Sequence, residues 1–118
     1  GIDYWLITAT PTSFYVFEVT TSGVNTSASP ITLNPIYPYG YLKASVDGSR
    51  IAVANYSANS IDIYDFNNTT GQISNPIHLS VTFRVYGLCF SPSGNILYAS
   101  QDASPGDIYQ FDLLSANI

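Results

Sequence analysis

Few residues in this chain could do chemistry, and they stand far apart. General acid–base or nucleophilic catalysis needs titratable groups that converge on one reacting atom. The single histidine, His78, lies in Pro76-Ile-His-Leu79 with neither an acid nor a nucleophile near it in sequence, which predicts an exposed edge residue rather than a catalytic one. The single cysteine, Cys89, cannot close an intramolecular disulfide, and its apolar neighbours in Tyr86-Gly-Leu-Cys-Phe90 predict a small buried hydrophobe. Metal chemistry has little to build on. Asp62 and Asp65 share one strand at a spacing of three and so project to opposite faces. Asp102 and Asp107 flank a Ser-Pro-Gly turn, but Ca²⁺ takes about six to eight oxygens, so ordinary turn solvation is the expectation. Phosphate-cradling glycine loops, Gly-x-Ser-x-Gly, His-Glu-x-x-His and paired cysteines are all missing from the sequence. Neither a metal nor a cofactor is expected.

Aromatic clustering is the remaining functional hint. Tyr37-Pro-Tyr39-Gly-Tyr41 forms a link between two predicted strands, and Tyr86 occupies the corresponding link in the next unit. Tyrosine offers a stacking face for a sugar, or an anchor for a partner's pocket, together with a hydroxyl. Packing between structural units is the alternative use of the same rings.

Composition narrows the partners. Charged residues are only 9% of the 118, against about a quarter in ordinary domains, and Lys43, Arg50 and Arg84 are scattered. With a net charge of -5 the chain repels nucleic acid and anionic membranes rather than steering toward them. No apolar run approaches the roughly 18 residues that span a bilayer as a helix. Sequons at Asn25, Asn55, Asn67 and Asn68 would matter only in a eukaryotic secretory host.

The elements that must position these residues repeat. Ser45-Val-Asp-Gly-Ser-Arg-Ile-Ala-Val-Ala-Asn55 aligns with Ser91-Pro-Ser-Gly-Asn-Ile-Leu-Tyr-Ala-Ser-Gln101; after one deletion, Ile63-Tyr-Asp-Phe66 aligns with Ile108-Tyr-Gln-Phe111. An earlier copy of the second motif is Val16-Phe-Glu-Val19, 47 residues before Ile63, and Ile108 follows Ile63 by 45. Asp47-Gly48 and Ser93-Gly94 are hairpin pairs, because glycine accepts the positive φ of a tight turn. One unit therefore reads as four consecutive strands, roughly 40–45, 50–55, 60–67 and 76–80. Ile51-Ala-Val-Ala54 is apolar on both faces, which implies a sheet covered on both sides. A sandwich would alternate more cleanly, whereas a period of 45 to 47 residues with Ala52, Ala54 and Ala99 in the strands fits propeller blades stacked face to face.

The expected fold is all-β: a β-propeller fragment of about two and a half four-stranded antiparallel blades, with a partial blade over 1–35, a complete one over 36–81 and a partial one over 82–118. A start at Gly1 in mid-pattern suggests a piece of a longer chain that supplies the remaining blades. In that frame Lys43, on an innermost strand, is the one basic residue placed to face the central channel, with strand capping or pairing with an acid as its expected role.

Gly40 to Asn55 followed by Ser60-Ile-Asp-Ile-Tyr-Asp-Phe66, and Tyr86 to Ser100 with Asp107-Ile-Tyr-Gln-Phe-Asp112, resemble YVTN-type and WD-repeat-like β-propellers. Val46 stands where that pattern has Pro and Ser93 where it has Asp, while both glycines remain. More narrowly the stretch is similar to propeller regions of large secreted or cell-surface Bacteroidetes proteins exported by type IX secretion. That resemblance implies a non-catalytic module, binding a protein or glycan or serving as scaffold, on the exterior of a bacterial outer membrane. The possible binding rim is Tyr37, Tyr39, Tyr41, Lys43 and Tyr86. Val53-Ala-Asn-Tyr-Ser57 also resembles lactonases of the 6-phosphogluconolactonase type, which are propellers. The competing expectation is thus a lactonase-like hydrolase whose active groups lie mostly outside these residues.

Overall fold

Apolar runs broken by Gly- and Asn-bearing turns become eleven strands in the computed structural model, which describes residues 4–32 and 39–115. The abundance of Ile, Val, Tyr and Phe favours this, since branched and aromatic side chains pack well on a pleated surface. The first sheet holds β1 (Tyr4–Ala9), β2 (Ser13–Thr20), β3 (Gly23–Val24) and β4 (Ile31–Thr32). The second runs in order through β5 (Leu42–Ala44), β6 (Arg50–Asn55), β7 (Ser60–Asn67) and β8 (Gln72–Ser80); the third comprises β9 (Val85–Phe90), β10 (Ile96–Gln101) and β11 (Ile108–Asp112). Every pairing is antiparallel, and the second sheet is a four-stranded meander.

The hairpin turns explain why the sequence repeats. In the second sheet the Ser45 carbonyl accepts from the Gly48 N–H at 3.0 Å, and the Ser45 hydroxyl oxygen accepts from the Arg50 N–H at 3.0 Å. In the third, Ser91 does the same for Gly94 at 2.9 Å and for Ile96 at 3.1 Å. Gly48 and Gly94 have φ of 71° and 76°, the left-handed region where a Cβ is costly.

One strand differs from the sequence reading. The outer strand of the second sheet is longer than 76–80: it begins at Gln72 and passes through Asn75 at φ 51°, where the β7–β8 register shifts. In the first sheet the outer strand is broken, because β3 and β4 pair with opposite ends of the β2 edge that β1 leaves open. The register also corrects the repeat alignment. Arg50 pairs with Asp65 and Asn55 with Ser60, whereas Ile96 pairs with Asp112 and Ser100 with Ile108. Counting from the equivalent residues Asn55 and Gln101, the link to the next strand is one residue longer in the third sheet, not one shorter. The matching Ile-Tyr-x-Phe motifs are thus two residues out of register. A slip of two keeps every side chain on its own face, which is why the apolar pattern could not reveal it.

The three sheets stack through two apolar cores. Trp5, Ile7, Ala9, Phe14, Val16 and Ile31 of the first sheet pack on Ile51, Val53, Tyr64, Phe66 and Ile73 of the second. The Trp5 indole N–H donates to the Asn68 carbonyl at 2.8 Å and its ring meets Phe66 edge-on, fixing the first sheet to the second. On the opposite face, Ala52, Ala54, Ile61, Ile63 and Leu79 meet Phe83, Val85, Leu88, Phe90, Leu97, Ala99 and Leu113. The middle sheet is therefore apolar on both faces, as Ile51-Ala-Val-Ala54 predicts. Cys89 is a correction: it is exposed, on the far face of the third sheet. Its apolar sequence neighbours Leu88 and Phe90 turn inward, and strand alternation turns Cys89 the other way.

Candidate functional site

The innermost strands β5 and β9 come together at their leading ends. The Tyr41 N–H donates to the Tyr86 carbonyl at 2.9 Å, and the Ala54 N–H donates to the Tyr41 carbonyl at 2.9 Å. Gly40 permits this approach, because a Cβ there would lie 2.6 Å from the Ala54 Cβ and 3.0 Å from the Tyr86 carbonyl oxygen. The sequence thus brings its tyrosine links to one end of the stack, opposite the hairpin turns at Gly48 and Gly94.

Around that contact a polar and aromatic cluster assembles. After β6 the chain makes a single 3-10 turn, Tyr56–Ala58, ended by Asn59 in the left-handed conformation that Asn tolerates better than most residues. The turn lifts Tyr56 toward the third sheet, where its hydroxyl donates to Asp102 Oδ2 at 2.7 Å. Arg84 Nη1 donates to the same hydroxyl at 3.4 Å, and its guanidinium lies 5.6 Å from the Tyr56 ring centre. The Asp102 N–H donates to the Arg84 carbonyl at 2.9 Å, so both residues are held by backbone as well as side chain. Tyr86 meets Tyr56 at 86° and Tyr41 at a centroid distance of 5.6 Å. Tyr39, Tyr56, Ser57, Tyr86 and Asp102 line a cavity of about 460 Å³.

Of the predicted rim, Tyr39 and Tyr86 line this cavity, and Tyr41 packs against Tyr86 from beside it. Tyr37 lies outside the described residues. Lys43 forms no ion pair with an acid among the described residues, and its ammonium lies 5.3 Å from the Tyr41 ring centre. Such a cation–π contact is worth roughly 0.5–1 kcal/mol at an exposed site. Sequence reasoning missed Tyr56, Ser57, Arg84 and Asp102 as members of the site. Tyr56 and Asp102 are 46 residues apart and meet only because two sheets stack, so no local pattern announces them.

A second polar cluster lies within the middle sheet. Asp62 is 5% exposed; its Oδ2 accepts from the Asn55 amide at 2.7 Å and its Oδ1 is 2.6 Å from His78 Nδ1. His78 is indeed exposed, its side chain 59% accessible, but it has an acid partner 16 residues away that the sequence did not suggest. Asp62 and Asp65 point to opposite faces: the first is buried, while the second is exposed and accepts from Asn75 at 2.8 Å. Tyr64, on the same face as Asp62, is buried with no hydrogen-bond partner for its hydroxyl among the described residues. Burial pushes its phenol well above the ordinary value, and the Asp62 charge adds to the shift. No group of three or more His, Cys, Asp or Glu able to hold a metal forms among the described residues. None of their helices is long and apolar enough to cross a membrane.

No family model and no curated protein matches the chain. Solved structures do. One described as a luciferin-regenerating enzyme superposes with a TM-score of 0.63 at 16% identity, covering 89% of this chain and 34% of its own. A protein from Lactobacillus plantarum gives 0.57 at 16% identity, covering 94% of this chain and 40% of its own. The chain thus spans well under half the length of these two structures. Together with three stacked antiparallel sheets, the likeness defines the fold as part of a β-propeller: about two and a half blades, with β5 and β9 innermost.

Proposed function

We propose that these blades belong to a non-catalytic propeller module of a bacterial extracellular or cell-surface protein, which binds a glycan or protein partner through its tyrosine end. The observation that carries this reading is the cavity of Tyr39, Tyr56, Ser57, Tyr86 and Asp102, where exposed aromatic faces stand beside a fixed carboxylate. Aromatic rings with polar tips are the usual anchors of binding surfaces. The low charge content supports an extracellular setting, and the resemblance to type IX cargo of Bacteroidetes supports the export route. Further blades of the same parent protein are its nearest partners. Tyr4 and Leu6 on one end face and Cys89 and Ile108 on the other are exposed, as faces awaiting a neighbouring blade would be.

A second reading has one specific support, since a matched structure is described as an enzyme. It makes the parent a lactonase-like hydrolase whose active groups lie mainly in other blades. One comparison separates the two: lactone hydrolysis by the complete parent protein, set beside glycan and protein-partner screens on the same sample. Partner capture without turnover is the outcome expected of a binding module. Turnover that disappears when channel-facing acids and bases are replaced would install the hydrolase instead.

A further inference from the structure

Resting on the binding reading above, we infer that the cavity at the tyrosine end takes a neutral pyranose ring, with its apolar face on tyrosine and a hydroxyl donated to Asp102. Three features of the cavity select that chemistry. The first is shape. Tyr56 and Tyr86 stand at 86° to one another, so a flat ligand can lie against one ring while the other bounds its edge. Tyr39 and Tyr86 are 69% and 48% exposed, which leaves their faces open to a ligand. About 460 Å³ lies within the usual range of roughly 300–1,000 Å³ for small-ligand sites.

Hydrogen-bond polarity is the second. Asp102 Oδ2 already accepts from Tyr56, while Oδ1 has no partner among the described residues. A carboxylate only accepts, so a group placed there must donate: hydroxyl or N–H, not carbonyl, carboxylate or phosphate. Ser57 adds a hydroxyl that can give or take a proton in a hydrogen bond.

Charge is the third. The Asp102 carboxylate and the Arg84 guanidinium share the Tyr56 hydroxyl, so the site is locally balanced. Arg84 lies over Tyr56 and Lys43 over Tyr41, so two protein cations already use rings of the cluster. A ligand ammonium would add positive charge beside both, and an anion would meet Asp102. A sugar ring, with C–H groups on one face and hydroxyl donors at its rim, meets all three conditions without a net charge.

Calorimetric titration of the full chain with methyl pyranosides, neutral oligosaccharides, choline and glucuronate tests this. Saturable binding of a neutral sugar is expected, weakened about tenfold or more by Tyr86→Ala and by Asp102→Asn, and unchanged by Cys89→Ser. Asp102→Asn changes an exposed side chain, so it stays informative if Tyr86→Ala fails to fold. Equal affinity for methyl pyranoside and oligosaccharide assigns a free sugar, and a gain of about tenfold for the chain assigns a glycan. Binding of choline or glucuronate in place of neutral sugars overturns the ligand class while the binding reading stands. Sugar binding indifferent to both variants overturns the site. If neither these probes nor protein partners bind, the binding reading falls as well.

Discussion

The two ends of the blades are made in different ways. At the hairpin end the second and third sheets close with the same bonds: a serine caps the turn through both its carbonyl and its hydroxyl, and glycine supplies the positive φ. The exchange of Asp47 for Ser93 keeps one further bond. Asp47 accepts from the Ser49 N–H at 3.0 Å, and Ser93 accepts from the Asn95 N–H at 3.3 Å in the same place. At the tyrosine end nothing repeats in this way. One sheet presents a 3-10 turn carrying Tyr56, and the other a longer link carrying Asp102. The repeated end satisfies the backbone and sets the strand register. The other end inherits its rigidity and so can vary its side chains.

That contrast can be broken most forcefully at the core beneath both ends. Ile61 is fully buried between the second and third sheets, and Ile61→Ala should cost about 3 kcal/mol in denaturant unfolding. Because both ends rest on that core, hydrogen exchange should rise at Ser45–Arg50 and at Tyr56–Asn59 alike. A change at only one end would mean that the ends are supported independently.

A smaller effect sharpens the division. Gly94→Ala places a Cβ at φ 76° and should destabilise by about 1–2 kcal/mol, with thermal unfolding as the readout. Ser57→Ala, at the other end, should stay within about 0.5 kcal/mol of the wild type.

Acid should act through the hairpin end. The Ser49 N–H, then the Ser45 and Ser49 hydroxyls, hold Asp47 below its ordinary 3.8, at about 2. A depressed folded-state value stabilises above the unfolded one, so Asp47 contributes above about pH 4 and loses its contribution as pH falls toward 2. Asp47→Ser copies Ser93 and should keep the turn while flattening that part of the stability–pH curve. A curve of unchanged slope would remove Asp47 as the cause.

An equally small effect on stability belongs to Asp102→Asn, whose melting curve should match the wild type within about 0.5 kcal/mol. The same variant should be among the most damaging to ligand capture. A large loss of stability would make Asp102 a structural residue and erase the distinction between the ends.

Much of this fold is legible in the sequence where the pattern is local. The strand–turn–strand signature around Gly48 and Gly94 locates four strands, and the apolar two-sidedness of Ile51-Ala-Val-Ala54 calls for neighbours on both faces. What depends on register or stacking is not legible. Cys89 looked buried because its neighbours in sequence are apolar, but on a strand those neighbours face the other way. The Asp62–His78 contact lies beside a register shift in β7–β8, so pairing could not be counted off from the turn. At the site, Tyr39, Tyr41 and Tyr86 could be found because equivalent links must fall at one end of a repeated sheet. Tyr56, Arg84 and Asp102 could not, because a hydrogen bond between blades leaves no periodic trace.

Mapping ligand-induced NMR shifts across the whole chain during titration with a neutral oligosaccharide tests the central claim most directly. The account predicts perturbations concentrated at Tyr39, Tyr56, Ser57, Tyr86 and Asp102, with the turns at Ser45–Arg50 and Ser91–Ile96 silent. Saturable shifts centred on the hairpin turns, or on the outer groove between His78 and Asp112, with the tyrosines unmoved, would contradict it.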